Sequence, residues 1–296
     1  MKLHSPARRY LKAAQKAWTA DDPRGALREL VQGLRADAGY KPIYKLAAQC
    51  LRALEAEDEA RLVEALLADF HSAAPFYAAG DYYAGDQNFA LALPLLERAH
   101  TLAPQRLDVA LTLAQTYTSR FRPQDAYDTL KRAGLQGDFW ATYEFYWAAL
   151  LCNRDLTEIA EFVEVERAHV ARADLEAELR ESLNYALDKL AQALARLQAF
   201  PPESSPRIWD WHFIQYGGAI LDYFDDREAE DALDIAGGRW VALWISPAHV
   251  AMLLHKLARL LTTLEREPQR VIALPDRDSQ IIGRAAALVL DLPFAL

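Results

Sequence analysis

Between Phe76 and Pro104 the chain reads FYAAGDYYAGDQNFALALPLLERAHTLAP, and the spacing of small and large residues in this stretch constrains the fold more than any other. Gly80 and Ala92 are small enough to let two antiparallel helices approach closely, while Phe76, Tyr83 and Leu96 are large enough to fill the space between that pair and the next. A helical hairpin of this length cannot bury its apolar face alone, so units of the same kind must lie beside it.

Those units can be read from the recurrence of the second small residue. Ala26, Ala60, Ala92, Ala126 and Ala160 follow one another in steps of 34, 32, 34 and 34 residues. Before Ala26 lie Tyr10, Ala13, Ala14 and Ala17, with Pro23 suited to the first turn of the second helix. Around Ala60 the pattern is weaker, because Glu64 stands where a large apolar residue is expected; helices are predicted there, with atypical packing. The fourth unit has Leu113, Ala114 and Tyr117, then Pro123, Ala126, Leu130 and Ala133, with Gly134 and Gly137 ending it. A fifth, degenerate unit runs from Phe139 to about Arg172, with Trp147, Ala148 and Ala160 retained. From Ala173 to Ala199 the leucines at 175, 179, 183, 187, 190, 194 and 197 predict one long helix with a single apolar face, suited to closing the array.

The motif Phe76-x2-Ala79-Gly80-x2-Tyr83, followed by Ala92-x3-Leu96-x2-Ala99-x4-Pro104, resembles the tetratricopeptide repeat. The resemblance implies a helical solenoid over residues 1–200 that binds a peptide or protein partner as a non-enzymatic adaptor or scaffold. It also implies that the first helix of each pair lines a concave groove, with Gln15, Gln49, Asp81, Gln115 and Ala149 at its centre. Leu11, Trp18, Lys45, Arg52, Tyr77, Leu111 and Phe145 would flank them, and the partner-binding set is Gln15, Gln49, Tyr77, Asp81, Gln115 and Phe145. Side-chain amides in a row can both donate to and accept from an extended backbone. The same row would also suit a merely solvated inner face. Tyr77 and Asp81 stand where the family's binders of terminal carboxylates have a Lys and an Asn, which puts acidic tails in doubt as the ligand.

Phe200-Pro201-Pro202-Glu203-Ser204-Ser205-Pro206 is dense in proline and serine, and residues 201–207 are the expected linker to a small, incomplete α/β domain over 208–296. Trp211 to Tyr216 and Ala219 to Phe224 flank Gly217-Gly218 as a hairpin would, although Tyr216, Ile220 and Phe224 also fall at helical spacing. WVALWIS and RVIALP read as strands, with helices from Pro247 to about Arg266 and from Ser279 to Asp291; strands joined by such helices should be parallel.

In that half, Ser246, Asp276, Asp278 and Ser279 fall at the carboxyl ends of the predicted strands, where open α/β sheets bind ligands. The simpler reading gives Asp278 or Ser279 the role of a helix cap. VIALPDRDSQIIGRAAALVLDLP resembles the opening of phosphoribosyltransferase-type domains, without the Gly/Thr-rich phosphate loop that follows paired acids in that family. This resemblance implies the alternative function, a ligand-binding or catalytic C-terminal module regulated or localised by the solenoid.

No catalytic residue, cofactor or metal site is expected: no Gly-rich phosphate loop, nucleophile elbow or paired His-Glu motif is present. The net charge of −9 opposes nucleic-acid binding and favours a basic partner. Cys50 and Cys152 sit in apolar helical patterns with no metal or redox spacing. With no run of 18 apolar residues, a soluble cytoplasmic protein without membrane association is expected.

Overall fold

The computed structural model describes residues 5–200, 208–218 and 247–296. The chain forms two compact units, Met1–Leu194 and Ala195–Leu296, and the expected linker 201–207 lies outside the described residues.

The first unit is an array of antiparallel helix pairs: α1 (Ala7–Thr19) with α2 (Pro23–Ala36), α3 (Pro42–Ala53) with α4 (Glu57–Ala68), α5 (Ala73–Gly85) with α6 (Phe89–Leu102), α7 (Leu107–Ser119) with α8 (Pro123–Ala133), and α9 (Phe139–Leu151) with α10 (Leu156–Arg172). Local chemistry sets the helix ends. Asp22 Oδ1 accepts a 2.7 Å hydrogen bond from Gly25 N and Pro23 opens α2, while Asp138 Oδ1 accepts from Ala141 N at 2.8 Å to start α9. Gly134, at φ +76°, stops α8 in a backbone conformation that a side chain would resist.

The recurring alanines do what their spacing implies in the first four pairs, where Ala26, Ala60, Ala92 and Ala126 are all 0% exposed. Opposite Ala92, Gly80 lets α5 and α6 meet so closely that a Cβ on Gly80 would lie 2.7 Å from Leu96 Cγ. The second pair departs from regular stacking. In a regular solenoid each repeat contacts only its neighbours, yet here α2 also packs directly on α6. Rings from three segments hold this junction, with Tyr44 5.5 Å from Phe70 and 6.0 Å from Phe76, and Phe70 5.3 Å from Phe76. Glu64, the residue that broke the apolar pattern, is exposed on α4 and binds Arg52, which also pairs with Glu57. An apolar cavity of about 150 Å³ lies among α2 to α6, walled in part by Leu30, Tyr44, Val63, Leu66, Tyr83 and Leu95.

In the fifth pair the register slips by one residue. Ile159 is 0% exposed, whereas Ala160, the expected buried alanine, is half-buried. From Ile159 the buried face continues to Val163 and Val170, and Glu164, four residues after Ala160, is exposed. The closing helix is also shorter than expected. Residues 173–176 are not helical, and α11 spans Ala177–Gln198. Leu179 is exposed, and the buried leucine stripe begins at Leu183.

In the second unit, α12 (Ile208–Tyr216) occupies the stretch expected to form the first hairpin strand. Gly217, at φ +70°, follows α12 as a helix-terminating glycine and not as a strand turn. His212 Nδ1 lies 3.0 Å from the Gly218 carbonyl oxygen, folding the exit back on the helix. The second hairpin arm and WVALWIS lie outside the described residues. Helix α13 (Pro247–Thr263) precedes β1 (Val271–Ile272), α14 (Arg277–Leu290) and β2 (Phe294–Ala295). The two strands pair in parallel, Val271 with Phe294 and Ile272 with Ala295, as a strand-helix-strand connection requires. The expected α/β domain is thus reduced, among the described residues, to three helices and one pair of two-residue strands.

Candidate partner-binding groove and aromatic cleft

The first helices of the pairs carry the residues assigned to the groove. Gln15 on α1, Gln49 on α3, Asp81 on α5 and Gln115 on α7 are all exposed. None of their side chains hydrogen-bonds another described residue. Each helix buries at least one position next to it instead: Ala14, Ala48 with Cys50, Gly80, and Ala114 with Thr116 are withdrawn into the packing.

The flanking positions are more committed. Tyr77 is half-buried between pairs; its hydroxyl lies 3.4 Å from Thr112 Oγ1 on α7, and the Arg106 guanidinium sits 5.5 Å from its ring centre. Arg52 is held by Glu57 and Glu64, and Leu11 is buried. At the fifth pair the row changes character. Phe145 is half-buried and stacked on Tyr127 of α8, with centroids 4.7 Å apart and planes at 24°, and Ala149 is 0% exposed.

What α9 presents instead is an aromatic wall that the spacing argument did not single out. Trp140 and Tyr143, with Glu178, Glu181, Tyr185 and Lys189 of α11, line a cleft of about 480 Å³. Trp140 is 39% exposed and Tyr185 72%. Along α9 the rings step by about one turn: Trp140 lies edge-on to Tyr143 at 6.1 Å, and Tyr143 stacks on Trp147 at 6.2 Å. On α11 the lining residues recur three and four apart, so they share one helix face. The Lys189 ammonium lies 4.8 Å from the centre of the Trp147 ring.

Beneath the aromatic wall is a buried carboxyl. Glu144, 7% exposed, accepts a 2.6 Å hydrogen bond from Thr118 Oγ1 of α7. Burial pushes its pKa up, against the opposing effects of that bond and of Lys189. Burial likewise raises the Tyr143 hydroxyl, with Glu144 and Tyr185 adding to the shift.

The candidate loop of the second unit is organised as a helix start. Asp276 Oδ1 accepts from Ser279 N at 2.8 Å, so Asp276 caps α14, and not Asp278 or Ser279. The hydrogen bonds from Ser279 hold the Asp276 carboxyl below the usual range. Asp278 is exposed in the first turn, Ser279 is half-buried, and Gln280 Nε2 donates to the Pro275 carbonyl at 2.9 Å. Ser246 lies outside the described residues.

Among the described residues no group of three or more His, Cys, Asp or Glu is placed to hold a metal ion. Likewise, no described helix is long and apolar enough to cross a membrane. Cys50 is buried and Cys152 half-buried, both as free thiols.

Residues 83–144, from the end of α5 through Glu144 of α9, match the model of the tetratricopeptide repeat family. No curated protein and no solved structure gives a match.

Proposed function

We propose that this chain, which contains tetratricopeptide repeats, is a non-enzymatic adaptor that receives an extended segment of a protein partner along the first helices of its array. Repeats of this family generally mediate protein–protein interaction and are typically non-catalytic. The observation that carries the reading is the row Gln15, Gln49, Asp81 and Gln115, one exposed polar side chain on each of the first four pairs at equivalent positions, with hydrogen-bonding capacity unused among the described residues. Such a row can meet successive backbone amides and carbonyls of an extended chain while making modest demands on its sequence.

Capture of partners by the intact protein, compared with a variant carrying Gln49→Arg, Asp81→Arg and Gln115→Arg, tests this. All three sites are exposed, so the variant is expected to fold and to lose the captured partners. Capture of the same partners by both proteins, with equal melting temperatures, overturns the groove as the binding surface.

A further inference from the structure

We propose that the cleft between α9 and α11 is a subsite for an arginine side chain of the bound segment. This rests on the reading of the array as a receiver of protein segments, but it concerns a different surface from the polar row.

The argument begins with a cation the protein already places there. Lys189 lays its ammonium over the Trp147 ring at 4.8 Å, so the aromatic wall of α9 accepts positive charge on its face. Moving toward the N-terminal ends of both helices, the same two walls continue with different partners. Trp140 and Tyr143 prolong the aromatic side, while the side of α11 carries Glu178 and Glu181 in place of a lysine. Neither carboxylate is paired with a cation among the described residues. Tyr185, largely exposed, adds a third ring on the α11 side.

The chemistry of the occupant follows from what each alternative would leave unsatisfied. An anion would be repelled by Glu178 and Glu181. A neutral apolar group would cover the rings but strip water from two carboxylates without pairing them, which is unfavourable. A cation meets both demands. Between the two basic side chains, guanidinium fits better: it is planar, stacks on an aromatic face, and offers paired N–H donors to carboxylates, whereas an ammonium is a compact, strongly hydrated point charge. The volume of about 480 Å³ accommodates a long side chain and its head group. The chain's net charge of −9 draws basic segments in the same direction.

The test uses the full chain and a capped peptide, acetyl-Gly-Arg-Gly-amide, with its citrulline counterpart as a neutral isostere. The Trp140 indole N–H resonance, assigned with Trp140→Phe, reports on the cleft directly. Saturable displacement of that resonance by the arginine peptide is expected, with the citrulline peptide about tenfold weaker or more. Glu178→Gln with Glu181→Gln should weaken the arginine peptide by a similar factor, about tenfold, at an unchanged melting temperature. The variant with Gln49→Arg, Asp81→Arg and Gln115→Arg should bind it as the parent does, which keeps failure of the polar row distinct from failure of the cleft. Equal binding of the two peptides, indifference to loss of both carboxylates, or no movement of the Trp140 resonance overturns the proposal.

Discussion

Leu96 packs against the bare backbone of Gly80, its Cγ standing 2.7 Å from where a Cβ would be. Leu96 is 0% exposed, so its branched end has no solvent to move into. Alanine at this position gains roughly 1 kcal/mol of helix propensity but must displace a packed side chain, whereas valine adds two further methyl groups to the same space. Gly80→Val is expected to lower stability by about 2 kcal/mol or more, and Gly80→Ala by less. Combining Gly80→Ala with Leu96→Ala should give a smaller loss than the two single changes added together, measured by urea denaturation as a double-mutant cycle.

Two buried ionisable groups pull the pH dependence of stability in opposite directions. His100 on α6 is 7% exposed with no hydrogen-bond partner for either ring nitrogen among the described residues; burial first and Arg132 second lower its pKa. The unfolded chain therefore binds that proton more readily, and the contribution of His100 is lost as pH falls below about 6.5. For Glu144 the folded pKa is raised, so the folded chain binds the proton more readily and its contribution is lost as pH rises above about 4.3. His100→Gln should flatten the fall in melting temperature between about pH 7.5 and about pH 5.5. Glu144→Gln, which keeps an acceptor for the Thr118 hydroxyl, should raise the melting temperature at about pH 7.5 relative to about pH 4.5. If the Glu144→Gln variant is instead less stable than the parent at the higher pH, the ionised carboxylate is favoured through Lys189.

The register of the fifth pair can be tested with two adjacent residues. Ile159→Ala removes a fully buried side chain and should cost about 2–4 kcal/mol. Ala160→Ser, at a half-buried site, should stay within roughly 0.5 kcal/mol of the parent. Reversed magnitudes in chemical denaturation would restore the 34-residue spacing read from the alanines.

The start of α14 offers a sharper contrast. Asp276→Ala removes the acceptor for Ser279 N, while Asp278→Ala removes an exposed first-turn charge. Hydrogen exchange at the Ser279 amide should accelerate markedly in the first variant and little in the second. Equal acceleration would make the effect one of helix-dipole charge alone.

The parts of the fold that are legible in the sequence are those where one residue type has no substitute. Ala26, Ala60, Ala92 and Ala126 are all fully buried, where a larger side chain would have to displace its packed surroundings, so their spacing survives in the sequence. Where large rings take over, as along α9, the helices are held by different surfaces and the alanine count misleads by one residue; Ile159, Phe145 and Ala149 all depart from expectation for that reason. The break at residues 173–176 is invisible in the sequence because no glycine or proline marks it, and Leu175 and Leu179 continue the helical step across it. In α12, apolar residues on every side leave the period ambiguous, and Gly217 reads as a turn where it is a stop. The polar row is accessible because it recurs with the repeat. The cleft is not, because its walls come from α9 and α11, two helices separated in the chain by all of α10.

The direct packing of α2 on α6 changes how this array must come apart. A solenoid with contacts only between neighbours can fray from its end one pair at a time, since losing the terminal unit leaves the interior intact. Here the first pair described is fastened to the third pair as well as to the second, and Tyr44, Phe70 and Phe76 join the segments between them. Detaching α1 and α2 would strip cover from α6 at the same moment. The first three pairs are therefore expected to open together as one cooperative block, and the partner proposed to lie across Gln15, Gln49 and Asp81 would meet a platform braced between those positions.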